Sequence, residues 1–279
     1  MGKFLDTLQQ VGKVSGVGIG FLGRRAQTKV KPAVIVAALA LGDVALAEAA
    51  VKGGAEAVML PVPDERGSLA EWIKLQEGVL EATHSGGAAV GLLLGGSQMA
   101  LEADDLQAAI KMGVDFVVLE MMAPARLLGL EESKLDKVVM LSIPRDEQMA
   151  LFLRAVNLLP VGAVIFEPAL TAEKVRALTL EAYMRYRLVR ESLRFPALVV
   201  VEDALSTAEV KMLVELGLQG IILRAAARER SDVFRERVVA LRELLEEAPR
   251  PESLTGEVPR VGDLAGSPSV PQPQPQPER

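Results

Sequence analysis

One short pattern occurs three times in this chain: lysine or glutamate, any residue, glycine, any residue, a polar residue, any residue, then an apolar run rich in β-branched side chains. The copies are Lys52-Gly53-Gly54-Ala55-Glu56-Ala57-Val58-Met59-Leu60, Lys111-Met112-Gly113-Val114-Asp115-Phe116-Val117-Val118-Leu119 and Glu215-Leu216-Gly217-Leu218-Gln219-Gly220-Ile221-Ile222-Leu223. Each ends a helical pattern, turns on a glycine and enters a short strand. Glycine suits the turn because the position just past a helix end takes left-handed backbone angles that a side chain disfavours. The strand that follows is apolar on both faces, as it must be where helices cover its outer side. The pattern is therefore the helix-to-strand joint of a parallel α/β protein.

The same rhythm runs through most of the chain. Strands are predicted at 33–38, 57–61, 89–94, 115–120, 138–143, 163–167, 198–202 and 220–224. Helical patterns follow each, near 43–53, 68–84, 101–112, 124–135, 146–158, 171–193, 206–216 and 228–247. Short strands alternating with helices mean parallel βαβ units. Eight of them in 279 residues predict a single (β/α)8 TIM barrel, a fold of about 250 residues that leaves no edge strand to protect.

The barrel is assigned to residues 32–249. Residues 1–31 form an N-terminal extension, in which Phe4, Leu5, Leu8 and Val11 share one face of an amphipathic helix before a Gly-rich turn. Residues 250–279 are rich in Pro, Ser, Gly and Glu and end in alternating Pro and Gln. Such a segment has too little apolar surface to offset its ordering entropy, so a disordered, polyproline-like tail is expected.

Charge and residue usage narrow the partners. With 31 basic and 37 acidic residues the net charge is −6, which argues against a nucleic-acid backbone. The absence of cysteine removes disulfides, thiolate metal sites and a cysteine nucleophile. It agrees with a reducing compartment, and a cytoplasmic location is expected. The longest apolar stretch, 32–51, is interrupted by Gly42, Asp43 and Glu48, so it reads as strand, loop and helix and not as a membrane span. A homo-oligomer is compatible with all of this.

In a barrel of this kind, sites form where the strands end and the following loops begin. Three glutamates fall at such ends: Glu120, Glu167 and Glu202. Alternation places Phe116, Val118 and Glu120 on one face, and Gly220, Ile222 and Arg224 occupy the same offsets. Crowded carboxylates raise one another's pKa or recruit a divalent cation. The three glutamates are therefore the candidate catalytic acids and bases, with Glu120 and Glu167 as candidate ligands of Mg2+. Arg224 can hold a carboxylate or phosphate in a bidentate fork. Asp203, Arg228, Gly95, Gly96 and Ser142 complete the candidate substrate-binding rim. The structural alternative is that Arg224 pairs with Glu120, Glu167 or Glu202 and simply closes the mouth.

Other signals point away from chemistry. Gly18-Ile19-Gly20-Phe21-Leu22-Gly23 has the spacing of a dinucleotide-binding turn but follows a helix instead of a strand. The adjoining Arg24, Arg25, Lys29 and Lys31 read as a solvated face. His84, the one histidine, falls at a helix end on the side of the barrel opposite the expected site. No lysine stands at the C-terminal end of a strand, so a Schiff-base mechanism is not indicated.

The segment from Pro196 to Ala226 resembles the phosphate-binding half of the phosphate-binding TIM-barrel superfamily, which includes inosine-monophosphate-dehydrogenase-like and nitronate-monooxygenase-like flavin barrels. The similar parts are strand Val199–Val201, the helix entry Leu205-Ser206-Thr207, and Glu215-Leu216-Gly217 leading to Gly220-Ile221-Ile222. The resemblance implies a barrel whose loops after the last two strands hold phosphate through glycine N–H groups. At those places this chain has Glu202-Asp203 and Arg224-Ala225. Two carboxylates repel an anion and side chains block close backbone approach, so FMN is not expected as a cofactor. Three functions follow as expectations: a metal-assisted lyase or isomerase acting on a small anionic carbonyl compound, a catalytically silent barrel serving binding or assembly, and a flavin- or phosphate-binding oxidoreductase of the same superfamily.

Overall fold

The three glycine joints take the geometry their sequence demands. Gly54, Gly113 and Gly217 have φ of +102°, +94° and +78°, a region that favours glycine. The polar residue two positions later also has a common task. Glu56, Asp115 and Gln219 each accept the backbone N–H of the preceding barrel strand through their side chains. The donors are Ile35, Val90 and Ala197, all at 2.8 Å. The backbone N–H groups of the same three residues donate in return to the carbonyls of Ile35, Val90 and Ala197. Each repeat thus locks its own strand to its neighbour at the point of entry.

The computed structural model describes residues 2–12, 14–15, 29–30, 32–63, 68–95, 101–129, 135–142, 148–170 and 172–248. Gly96, the Gly18–Gly23 pattern, the residues Arg24, Arg25 and Lys31, and the tail lie outside them. The chain divides into two units, Met1–Pro249 and Arg250–Arg279.

The first unit opens with helix α1 (Lys3–Gln9) and a two-stranded antiparallel pair, β1 (Val14–Ser15) and β2 (Lys29–Val30). Eight parallel strands follow: β3 (Val34–Ala38), β4 (Ala57–Val62), β5 (Ala89–Leu94), β6 (Phe116–Leu119), β7 (Asp136–Ser142), β8 (Ala163–Leu170), β9 (Ala197–Val201) and β10 (Gly220–Arg224). They close in the order β10-β3-β4-β5-β6-β7-β8-β9, the (β/α)8 TIM barrel expected from the sequence. The helices between them are α2 (Val44–Lys52), α3 (Leu69–Leu75), α4 (Glu77–Ser85), α5 (Ala103–Lys111), α6 (Met149–Val156), α7 (Ala172–Arg176), α8 (Leu180–Ser192), α9 (Thr207–Glu215) and α10 (Ser231–Glu247).

Local chemistry sets the helix starts. Asp43 accepts from Leu46 N–H, Thr179 accepts from Ala182 N–H, and Ser68 with Glu71 forms a reciprocal box. Two predicted helices are divided, at Gln76 and around Thr179. Of the helix predicted over 124–135, residues 130–134 lie outside the described residues and the part before them is a 3-10 segment, Ala125–Gly129. Pro124 and Gly129 bound it, and the Lys137 Nζ and Arg126 side chains take the carbonyls of Leu128 and Leu101.

Alternation along the strands sorts the core into two shells. Val34, Val36, Met59, Phe116, Val118, Val138, Met140, Ile165, Leu198, Val200 and Ile222 fill the barrel. Ile35, Leu60, Leu92, Val117, Leu141, Val164, Val199 and Leu223 pack outward against the helices. Helix α1 belongs to the inner shell: Phe4, Leu5 and Leu8 are buried there. Phe4 stacks on Phe116 with ring centroids 4.0 Å apart. A Cβ on Gly162 would overlap Leu5, and one on Gly91 would overlap the Phe116 ring. The N-terminal helix therefore plugs the end of the barrel where the strands begin. Asp136, the first residue of β7, holds it by accepting from Gly2 N–H at 2.8 Å and Leu5 N–H at 2.9 Å. Burial pushes the Asp136 carboxyl above its ordinary value, against the opposing pull of those two N–H groups.

Candidate functional site

Beyond Asp136, which is taken up by α1, the inner positions of the strands stay apolar until the last layer, where their character changes. Continuing the inward alternation brings Ser142 to the end of β7, Glu167 to β8 and Arg224 to the end of β10. Glu120 and Glu202 follow the last residues of β6 and β9 in the same phase. Glutamate and arginine thus gather at the C-terminal mouth above a barrel whose interior is Val, Ile, Leu, Met, Ala and Phe.

Strand register decides the partners. Ser142 stands opposite Glu167, and its hydroxyl donates to Glu167 Oε2 at 2.9 Å. Leu223 stands opposite Val201, so the next residues, Arg224 and Glu202, meet in an ion pair of 2.7 Å. Of the three glutamates open to Arg224 from the sequence, Glu202 is the partner. The pair is accessible, with side chains 50% and 40% exposed. The Glu120 side chain is half-buried, and its N–H donates to Leu94 O at the edge of β5. Gly95 follows directly and is half-buried, while Gly96 lies outside the described residues. Asp203 is exposed beyond Glu202.

The carboxylates do not converge on one ion. Among the described residues no group of three or more histidine, aspartate or glutamate side chains is arranged to hold a metal. Glu120 and Glu167 could supply two carboxylates, and Mg2+ bound in that way completes its shell with water and substrate.

Two supports of the mouth were not legible in the sequence. Glu229, in the loop after β10, accepts the Ala226 N–H at 2.8 Å. Arg237 of α10 grips the same carboxylate at 2.8 and 2.9 Å. Its other nitrogen donates to Glu202 O at 2.8 Å and to Arg224 O at 3.4 Å. The Arg237–Glu229 pair is largely buried. One guanidinium thus fixes the backbone of both members of the rim pair, which makes Arg237 a positioning residue. No periodicity or motif singles out Arg237 among the charged residues of α10. Arg228, on the same loop, is exposed and holds a left-handed φ of +63°. That angle is strained for a side-chain-bearing residue, and such strain concentrates at functional loops. Behind this loop a cavity of about 260 Å3 opens between β9, β10 and α10, lined by Val201, Leu205, Leu223, Leu241 and, at its polar end, Asp203 and Arg237.

His84 meets Asp115 at 3.0 Å at the strand-entry end of the barrel, the same Asp115 that accepts from Val90. Trp72 packs against the outer core. Among the described residues no helix is long and apolar enough to cross a membrane.

No protein-family model matches this chain, and no curated protein does. Solved structures do. Thiamine phosphate pyrophosphorylase from Pyrococcus furiosus is 17% identical with a TM-score of 0.54, over 77% of this chain and 96% of that one. Tryptophan synthase from M. tuberculosis is 15% identical with a TM-score of 0.57, over 77% and 93%. A native KDPGal structure is 14% identical with a TM-score of 0.51, over 75% and 93%. At these identities what the chain shares with them is the (β/α)8 barrel.

Proposed function

We propose that the C-terminal mouth binds a small anionic carbonyl compound and carries lyase or isomerase chemistry on it. The observation that supports this most is energetic. The inner wall is charged and open to water only at its last layer, since the other inward carboxylate, Asp136, is buried against α1, and the Glu202–Arg224 pair at that layer is too exposed to matter for stability. Pairs this accessible contribute roughly 0–1 kcal/mol. A buried Arg237–Glu229 pair is nevertheless spent on holding them in place. Rigid support beneath a solvent-accessible ion pair is the expected construction of a binding site.

In this reading Arg224 turns its guanidinium from Glu202 to the substrate's carboxylate or phosphate and fixes its orientation. Arg228, on the next loop, adds positive charge. Glu167, oriented by Ser142, accepts a proton from the carbon beside the carbonyl, and Glu120 returns one to the product. Proton transfer by these carboxylates needs no metal ion; Mg2+ at Glu120 and Glu167 is an addition to test. The lyase or isomerase class draws on a synthase-type barrel among the structural neighbours, tryptophan synthase. The resemblance of residues 196–226 to phosphate-binding barrels supports an anionic substrate. It does not favour FMN: Glu202 and Asp203 stand where glycines would bring backbone N–H groups to a phosphate, and the Ala226 N–H is already given to Glu229. The same pre-satisfied loop favours the second reading, a silent barrel used for binding or assembly.

A thermal-shift screen of small carboxylates, 2-oxo acids and sugar phosphates, with and without Mg2+, separates the two. A ligand should raise the melting temperature of the wild type, less so Arg224→Ala, and Glu167→Gln should retain binding but abolish turnover. Indifference of the wild type to every anion would sink the enzyme reading. A yellow preparation carrying stoichiometric FMN would overturn the exclusion of flavin.

A further inference from the structure

Helix α8 is apolar on the wrong side. Its inner face packs in the ordinary way: Val189 is buried, and Tyr186 lies 6.3 Å from the Phe166 ring. The opposite face carries Leu180, Met184 and Leu188, which are 75%, 62% and 51% exposed. Their spacing of four residues lines them up along the helix. The stripe spans about 12 Å at the ordinary helical rise. The neighbouring helix α6 also exposes Leu151, at 67%. It is tied to the end of α8 by Asn157, which donates to Ser192 O and accepts from Arg194 N–H. A contiguous apolar stripe on a surface helix calls for a cover.

The charges beside the stripe identify the cover. Glu181 and Arg185 lie on one flank and pair with each other, as do Arg187 and Glu191 further along. The charges of these four residues sum to zero, so the face offers no basic excess for an anionic membrane. It is complementary to itself. In an antiparallel helix pair, a two-fold axis at Met184 sets Leu180 opposite Leu188 of the other copy. Like flanks then face each other, and each Glu181 comes beside the other copy's Arg185. The pattern is that of an isologous interface, where one patch serves both subunits.

We propose that α8 is the self-association surface of this protein, with a second copy of the chain packed antiparallel on Leu180, Met184 and Leu188. Stable interfaces bury about 800 Å2 per partner. A stripe of three side chains falls short of that area and implies a reversible dimer.

The full chain should therefore show a concentration-dependent monomer–dimer equilibrium in sedimentation velocity. Met184→Glu, at an exposed position, should match the wild-type melting temperature at concentrations where the wild type is monomeric, and stay monomeric where the wild type dimerises. Glu181→Arg and Arg185→Glu should each weaken the dimer, since each sets like charges across the axis. A one-to-one mixture of the two should restore it, because every cross-axis pair is then opposite in sign. The chain has no cysteine, so Met184→Cys introduces a single thiol at the axis. It should cross-link to itself under mild oxidation far faster than Leu75→Cys, a still more exposed control on α3. The proposal fails if the wild type is monomeric at all concentrations, if Met184→Glu leaves a dimer intact, if the charge-swapped mixture does not reassociate, or if the two cysteine variants cross-link alike. It fails also if the wild type is retained on neutral lipid vesicles and Met184→Glu is not, an outcome that would give the stripe to a membrane.

Discussion

At the end where the strands begin, Phe4, Leu5 and Leu8 fill the barrel and Asp136 holds the helix that carries them. Glu56, Asp115 and Gln219 stitch neighbouring strands there through neutral N–H donors. Where the strands end, the inward positions are Ser142, Glu167, Glu202 and Arg224, and their mutual bonds face water. The same inward phase of the same strands thus yields a sealed apolar end and an open charged one. The difference teaches how the barrel divides its work. Buried apolar area and satisfied backbone groups stabilise the fold, while accessible ion pairs contribute little and remain free to exchange partners with a ligand.

The largest expected effect lies at the sealed end. Phe4→Ala removes one ring of the stack with Phe116 and leaves a cavity, at a cost of about 3–5 kcal/mol. Urea unfolding checks this. A loss below about 1 kcal/mol would show that α1 rests on the barrel without contributing to it. Ligand-induced shifts at the far mouth should persist in the variant wherever it is folded.

Asp136→Ala comes next. It leaves the N–H groups of Gly2 and Leu5 without their acceptor, at roughly 1–3 kcal/mol. The same residue gives a pH signature. A carboxyl whose folded pKa is raised contributes stability that is fully present below its unfolded value of 3.8 and is lost as pH rises through the folded value. The stability of the wild type relative to Asp136→Asn should therefore decline across that acid window and stay level above it. A difference that grows with pH would mean that the two N–H donors outweigh burial.

The smallest effect on stability belongs to the open end. Arg224→Ala should cost no more than about 1 kcal/mol in the same unfolding experiment, yet remove the thermal shift produced by anionic ligands. A loss as large as that of Phe4→Ala would erase the contrast between the two ends. It would make Glu202–Arg224 a structural clasp and favour the silent barrel.

The helix-to-strand joints could be read directly, because a left-handed turn before an apolar strand is a local requirement that Gly54, Gly113 and Gly217 answer within a few residues. The job of the polar residue after each glycine could not be read, since Glu56, Asp115 and Gln219 act on a strand about twenty to thirty residues away in the chain. Strand-end glutamates were visible as a group, because alternation along one strand needs no knowledge of the next. Their partners were not. Register between β7 and β8 gave Glu167 to Ser142, and register between β9 and β10 gave Glu202 to Arg224. The 3-10 segment at 125–129 shows the reverse case, where a helical pattern was present but a proline precedes the segment and the Lys137 Nζ takes the Leu128 carbonyl that an α-helix would use.

Sequence alone determined the eight-fold βα alternation, which residues of each strand share a face and the amphipathic face of α1, because these depend on periodicities of two and 3.6 residues that a chain carries with it. Only the tertiary structure decided that α1 turns its face into the barrel, that Arg237 and Glu229 support the rim from behind, and that the stripe on α8 points away from the core. Those outcomes depend on which surfaces closure of the sheet brings together, and closure is a property of all eight strands at once.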